Sequence, residues 1–170
     1  MAGSTPTGTI TFFFSDIEGS TRLLETLGSD YPDVLERHRQ ILRGAFSDCA
    51  AVEMGTEGDS FFAVFPSAQD ALAAAVAIQR AIAAEEWPQA TTPKVRIGLH
   101  TGEAGIAAGG YVGLDLHRAA RIMDAAHGDR FSSRTRPVPW SSGAWPTESD
   151  SATSASIGFA ISLLQSGCSR

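Results

Sequence analysis

Three sets of side chains in this chain have types and spacings that could do chemistry. Asp16 follows the apolar run Thr9 to Phe14, and Asp59 lies in the turn Glu57-Gly58-Asp59 between two further apolar runs. Two carboxylates carried on neighbouring strand ends can share divalent cations, because hard ions such as Mg²⁺ take oxygen ligands and keep their remaining positions for water and phosphate. Residues Glu18, Gly19, Ser20 and Thr21 then open a helix. The unpaired N–H groups of such a first turn, together with the Ser20 and Thr21 hydroxyls, suit a polyphosphate. Arg121, with Arg118, sits in the alanine-rich helical segment His117-Arg118-Ala119-Ala120-Arg121, where a fixed guanidinium can neutralise charge on a phosphoryl group in transfer. Each set alone has a plain structural reading: Asp16 and Ser20 as turn and cap residues, and the arginines as a solvated helix face.

The elements that must position these residues follow from periodicity. Thr9 to Phe14 reads as a buried strand ending at Ser15-Asp16. Ser20 or Thr21 is a helix N-cap, Gly28 stops that helix, and a longer helix runs from about Tyr31 to Cys49 with Val34, Leu35, His38, Ile41 and Leu42 on its apolar face. Ala51 to Thr56 and Ser60 to Phe65 form a hairpin around the Asp59 turn. Ala68 to about Glu85 is an alanine-rich helix, Val95 to His100 a strand, Thr101-Gly102 the start of a glycine-rich connection, and Leu114 to Ala126 a last helix. The resulting βαββαβ order with an appended helix predicts an α+β fold, ferredoxin-like, with one antiparallel sheet covered by helices on one face.

Composition narrows the class. The chain has 170 residues, 43% of them hydrophobic, enough for one packed domain and too few for a second full one. Its net charge of −6 argues against a nucleic-acid partner. No run is long enough to span a membrane, and the first residues lack the pattern of a signal peptide, so a cytoplasmic location is expected. The two cysteines, Cys49 and Cys168, have no metal-ligand spacing.

The totals conceal a break near Arg130. Residues 1–129 hold seven serines and a charge of −8, whereas residues 130–170 hold eleven serines and a charge of +2. Phe131 to Ser156 shows neither helical nor strand periodicity. The expected organisation is a disordered N-terminus over 1–8, a catalytic domain over 9–129, and a disordered Ser/Pro/Trp-rich tail over 130–170.

Four ordered segments together resemble the catalytic domain of class III nucleotidyl cyclases, in particular bacterial adenylate cyclase-like domains. They are Phe12-Phe13-Phe14-Ser15-Asp16-Ile17-Glu18-Gly19-Ser20-Thr21, Glu57-Gly58-Asp59-Ser60-Phe61-Phe62-Ala63-Val64-Phe65, Arg96-Ile97-Gly98-Leu99-His100-Thr101-Gly102-Glu103 and Tyr111-Val112-Gly113-Leu114-Asp115-Leu116-His117-Arg118-Ala119-Ala120-Arg121-Ile122. The resemblance covers about residues 8 to 129. It implies conversion of ATP or GTP to a 3′,5′-cyclic nucleotide and pyrophosphate for intracellular signalling, in a homodimer with active sites at the subunit interface. It further implies two Mg²⁺ or Mn²⁺ ions held by Asp16, Asp59 and the backbone carbonyl of Ile17. Arg121 matches the arginine that the partner subunit adds to the transition state.

The departures from the pattern concern base recognition. Gly55 stands where the family carries a lysine, Gly110 where it carries an aspartate, and His117 where it carries an asparagine that orients the ribose. Glu57 is then a candidate for reading the base, and His117 for donating to the ribose ring oxygen. The family's terminal strand, helix and hairpin are absent after residue 129. Back-translating the tail and restoring one base within the Arg130 codon yields Gln-Val-Leu-Leu-Ser-Asp-Gln and later Leu-Arg-Asp-Leu-Gly-Ile-His-Arg-Leu, signatures of that ending. The chain is therefore expected to be a truncated or frame-shifted cyclase of weak or no turnover. The alternative is a catalytically degenerate cyclase-fold module that binds nucleotide or dimerises. A haloacid-dehalogenase-type phosphatase, suggested by Asp16 to Thr21, fails because Glu18 stands where a second Asp is needed, no later acidic pair follows, and the one lysine, Lys94, sits inside a strand.

Overall fold

The structure, a computed structural model, describes residues 6–107, 110–126 and 131–134. Six strands and four main helices follow in the order β1 (Gly8–Ile17), α1 (Ser20–Leu27), α2 (Tyr31–Asp48), β2 (Val52–Glu57), β3 (Ser60–Phe65), α3 (Ala68–Ala84), β4 (Val95–Ala107), β5 (Gly110–Val112), α4 (Leu114–Asp124) and β6 (Phe131–Arg134). The strand order is β2-β3-β1-β4-β5, with β6 alongside β4. All pairings are antiparallel except β4 with β6. This is the α+β sheet that the βαββαβ order predicts.

Alternation along β1 sorts the sheet into two faces. Phe13 and Ile17 point to a core shared with Phe61, Phe65, Ile97 and Leu99, covered by Val34, Leu42 and Phe46 of α2 and by Ala71, Ala74, Ala75 and Ile78 of α3. His38 of α2 is fully buried there, with its ring 5.9 Å from that of Phe61. Ile10, Phe12 and Phe14 point the other way, into a smaller cluster with Val64, Phe62, Tyr111, Leu116 and Ala119. The stacked rings of Phe14 and Phe62, 4.6 Å apart, close this second face.

Helices covering a single face is therefore not what forms, because α4 seats against the second face. Two glycines of β4 admit it: a Cβ on Gly98 would lie 2.4 Å from the backbone nitrogen of Met123, and one on Gly102 would lie 2.4 Å from Oδ2 of Asp115. A sequence pattern without side chains at these two points gives no periodicity signal for a helix above them.

Three boundaries also differ from the sequence reading. β1 runs through Asp16 to Ile17, since Ser15, Asp16 and Ile17 continue the ladder against Ile97, Arg96 and Val95. β4 continues through Thr101 and Gly102 to Ala107 and turns back into β5 as a hairpin arm. Phe131–Arg134 forms a short strand parallel to Ile97–His100, within a segment read from sequence as lacking strand character. At the other end, β1 begins at Gly8, and the Tyr111 hydroxyl donates to the Pro6 carbonyl at 2.6 Å. The expectations for residues 1–5 and for the tail from 135 onward lie outside the described residues.

Candidate active site

The sheet brings the two aspartates together from separate elements. Asp16 is carried near the end of β1, which the β3 and β4 ladders hold on both sides. Asp59 is carried in the turn between β2 and β3, after Gly58 in the left-handed conformation at φ 59°. Oδ2 of Asp59 accepts the Ile17 N–H at 2.8 Å. The carboxylate of the hairpin turn is thereby fixed to the residue next to Asp16.

Asp16 has a different partner. Arg96, directly opposite it on β4, donates Nε–H to Oδ1 at 2.7 Å and Nη2–H to Oδ2. This bidentate fork is part-buried, with side-chain exposures of 25% for Arg96 and 14% for Asp16. The fork raises the Arg96 guanidinium further above its ordinary range; burial opposes the rise, and the charges of Asp16, Asp124 and Glu18 add to it. Arg96 belongs to one of the motifs quoted above, yet its role at this site was missed. The available signal was strand register, since aligning β1 with β4 antiparallel sets 16 against 96.

The other expected residues divide into those near this end and those apart from it. Glu18 is exposed, and its N–H donates to the Lys94 carbonyl at 2.8 Å. Gly19, at φ 67°, is the N-cap of α1, and no side chain caps the helix, so Ser20 is the first helical residue rather than its cap. The first turn of α1 is thus left without a side-chain cap, the kind of helix start that can take a polyphosphate. Glu57 is exposed at the end of β2. Gly55 sits on β2 with no atom within 4 Å of where a Cβ would be, so the place of the family's lysine is open space.

His117 and Arg121 are both exposed on α4. The structure joins neither to Asp16 or Asp59 within one chain. The buried contacts of α4 are made by other residues. Oδ1 of Asp115 lies 3.0 Å from Nε2 of the buried His100 and accepts from Arg118 at 2.8 Å, and Oδ2 accepts the Glu103 N–H at 3.2 Å. These bonds, the His100 contact foremost and then Arg118 and Glu103, outweigh burial and hold the Asp115 carboxyl below its ordinary range.

The donor set fits a hard divalent cation. Asp16 and Asp59 place carboxylate oxygens on either side of Ile17, donors of the hard type that such an ion takes. Among the described residues no helix is long and apolar enough to cross a membrane.

A βαββαβ sheet with a second-face helix, carrying one aspartate on β1 and another in the β2–β3 turn, has the architecture of a nucleotidyl cyclase catalytic domain. Residues 3–118 match the adenylate and guanylate cyclase catalytic domain, and the chain belongs to that family. An uncharacterized protein of Mycobacterium tuberculosis is 37% identical over 125 residues, 72% of this chain. That match spans 41% of the relative's length. An adenylate cyclase of Mycosarcoma maydis is 28% identical over 178 residues, which cover 90% of this chain and 7% of that protein. Among solved structures, a Trypanosoma brucei adenylate cyclase in its monomeric state superposes with a TM-score of 0.69 at 25% identity, over 76% of this chain and 74% of that one. The adenylyl cyclase CyaB of P. aeruginosa shares the fold, with a TM-score of 0.61 at 19% identity over 74% of this chain and 76% of that one.

Proposed function

We propose that this chain is the catalytic unit of a nucleotidyl cyclase that converts ATP, or GTP, to the 3′,5′-cyclic nucleotide and pyrophosphate. The ribose 3′-oxygen attacks the α-phosphorus, its proton is lost, and the bond to the β-phosphate oxygen breaks. The observation that carries this reading is the hydrogen bond from Ile17 N–H to Asp59, which sets the second carboxylate beside the strand end that bears the first.

Asp16, Asp59 and the Ile17 carbonyl would hold two Mg²⁺ or Mn²⁺ ions, which supply acidification of the 3′-hydroxyl and charge neutralisation on the departing pyrophosphate. The chain's own residues do the rest. Arg96 neutralises Asp16, and with a cation bound its guanidinium would offer positive charge beside the substrate phosphates. The backbone donors at the start of α1, with the hydroxyls of Ser20 and Thr21, orient the phosphates. Glu57 and His117 are the remaining candidates for base and ribose contacts.

Arg121 acts from a second copy in this reading, which agrees with its exposure on α4. The homodimer has further support in exposed apolar side chains. Ile106 at 47% and Val112 at 47% on the β4–β5 arm, and Leu114 at 64% where α4 begins, lie within one short stretch. Such a patch is more often an interface than a solvated surface. The reading includes a cytosolic signalling role for the cyclic nucleotide.

Base selection is weak in this reading, because Gly55 and Gly110 offer no side chain for hydrogen bonding and a site without such partners discriminates poorly. Turnover is low for a separate reason, the departure from the family's sequence after residue 129. The test is cyclic-nucleotide production from ATP and from GTP with Mn²⁺, alongside a chain whose reading frame is restored after residue 129. Nucleotide binding with no cyclisation in either chain would favour the degenerate binding module.

A further inference from the structure

We infer that Arg39 of α2 is a positioning residue for the second carboxylate, holding the β2–β3 turn so that Asp59 faces the end of β1. The inference rests on the metal reading of Asp16 and Asp59.

A hairpin turn of two residues, Gly58 and Asp59, at the edge of a sheet has little of its own to fix it. Gly58 is exposed, and its positive φ imposes the turn's shape but not its direction. Arg39 supplies a tether from a separate element: its Nη2–H donates to the Gly58 carbonyl at 2.7 Å. The helix behind Arg39 is rigidly seated, since Val34, His38, Leu42, Ala45 and Phe46 of α2 are all buried. Nε of Arg39 is itself buried, with no hydrogen-bond partner among the described residues, so the group lies against the protein rather than extending into water.

Tyr31, at the start of α2, belongs to the same cluster. Its hydroxyl is raised above its ordinary range by burial, then by the negative charge of Asp59, and is lowered in part by Arg39. Arg39 sits at the turn that carries Asp59, where it bonds the adjoining Gly58 carbonyl and leaves the carboxylate oxygens to the Ile17 N–H and to a cation. Arg96 does the opposite at Asp16, bonding the carboxylate itself. One arginine competes with a cation and the other orients a ligand for it.

Two effects of Arg39 on cation binding have opposite signs, which makes the inference testable. A positive charge near the site repels a cation, so electrostatics alone predicts tighter binding once the charge is removed. Positioning predicts weaker binding, by about tenfold on the scale of an outer-shell ligand contact. The experiment is a Mn²⁺ titration of the intact chain without nucleotide, following free Mn²⁺ by its electron paramagnetic resonance signal, for wild type, Arg39→Met, Arg39→Lys and Asp59→Asn. Arg39→Gln serves in place of Arg39→Met if the latter does not fold, as judged by circular dichroism.

The expected result is loss of binding in Asp59→Asn, about tenfold weaker binding in Arg39→Met, and recovery of most of the affinity in Arg39→Lys. Folded Arg39→Met that binds Mn²⁺ as well as wild type, or better, overturns the positioning role while leaving the metal reading intact. Wild type without Mn²⁺ affinity, or Asp59→Asn with undiminished affinity, overturns both.

Discussion

Arg96 grips both carboxylate oxygens of Asp16 from the directly opposite position on the neighbouring strand, with Nε–H to Oδ1 at 2.7 Å and Nη2–H to Oδ2. The register of β1 against β4 leaves the pair no choice of partner, because 16 and 96 face one another on the same side of the sheet. The Asp16 carboxylate is thus paired with a cation built into the chain. If Asp16 holds a divalent ion as proposed, that ion would compete with the guanidinium for the carboxylate oxygens.

Removing the competitor should therefore help metal binding in the absence of nucleotide. The pair is partly exposed, so screening limits its worth to about 1 kcal/mol, or roughly fivefold in affinity. Arg96→Gln is expected to bind Mn²⁺ about that much more tightly than wild type. Isothermal titration calorimetry checks this, and unchanged or weaker binding would show that Arg96 does not compete for Asp16.

The helix that carries His117 and Arg121 rests on β4 through glycine. Gly98→Ala would set a Cβ 2.4 Å from the Met123 backbone nitrogen, 2.7 Å from the Met123 Cα and 2.8 Å from the Ala119 carbonyl oxygen. Backbone atoms cannot rotate away, so α4 must lift. The expected loss is about 3 kcal/mol, at the upper end for overpacking. A urea melt measures it, and a loss below about 0.5 kcal/mol, the range of an ordinary surface change, would contradict the close seating.

Asp115 anchors the same helix from its other end. Cutting it to Ala leaves the buried His100 ring without the partner of its Nε2, and Nδ1 already has none among the described residues. A cost of about 2 kcal/mol is expected for the orphaned polar ring. Asp115→Asn, which keeps an oxygen for the ring, should recover much of it in the same melt.

His38 gives the fold a pH dependence. Its ring is fully buried, and burial first, then the charge of Arg39, lowers its pKa to about 4, with Asp16 opposing. The folded protein keeps this ring neutral, whereas the unfolded chain protonates it near pH 6.5. The stability contributed is thus fully present above pH 6.5 and is lost as pH falls from 6.5 towards 4, by about 3 kcal/mol in all. His38→Leu should flatten that part of the stability profile in denaturant melts at pH 7 and pH 5. An equal loss in both proteins would place the acid sensitivity elsewhere.

The strands and helices before about residue 100 were legible because their patterning is regular, as in Thr9 to Phe14, the hairpin around Asp59, and the apolar stripe Val34, His38, Leu42, whereas the extension of β4 from Thr101 to Ala107 was not. The proposed site could be read from sequence where it draws on motif residues, as with Asp16 and Asp59. It was not legible where it depended on register. Nothing local to Arg96 reveals Asp16, which lies 80 residues away in the chain, and nothing local to Arg39 reveals the Gly58 carbonyl. The second-face position of α4 escaped for a related reason. Its seat is made by the missing side chains of Gly98 and Gly102, and hydrophobic periodicity records only side chains that are present.

The most direct test of the central claim is cyclic-nucleotide formation by the purified chain with Mn²⁺ and ATP or GTP, measured for wild type and for Asp16→Ala. The account predicts slow but measurable product from wild type or from its frame-restored form, and none from the Asp16→Ala counterpart. Product formed equally well without the Asp16 carboxylate would contradict it.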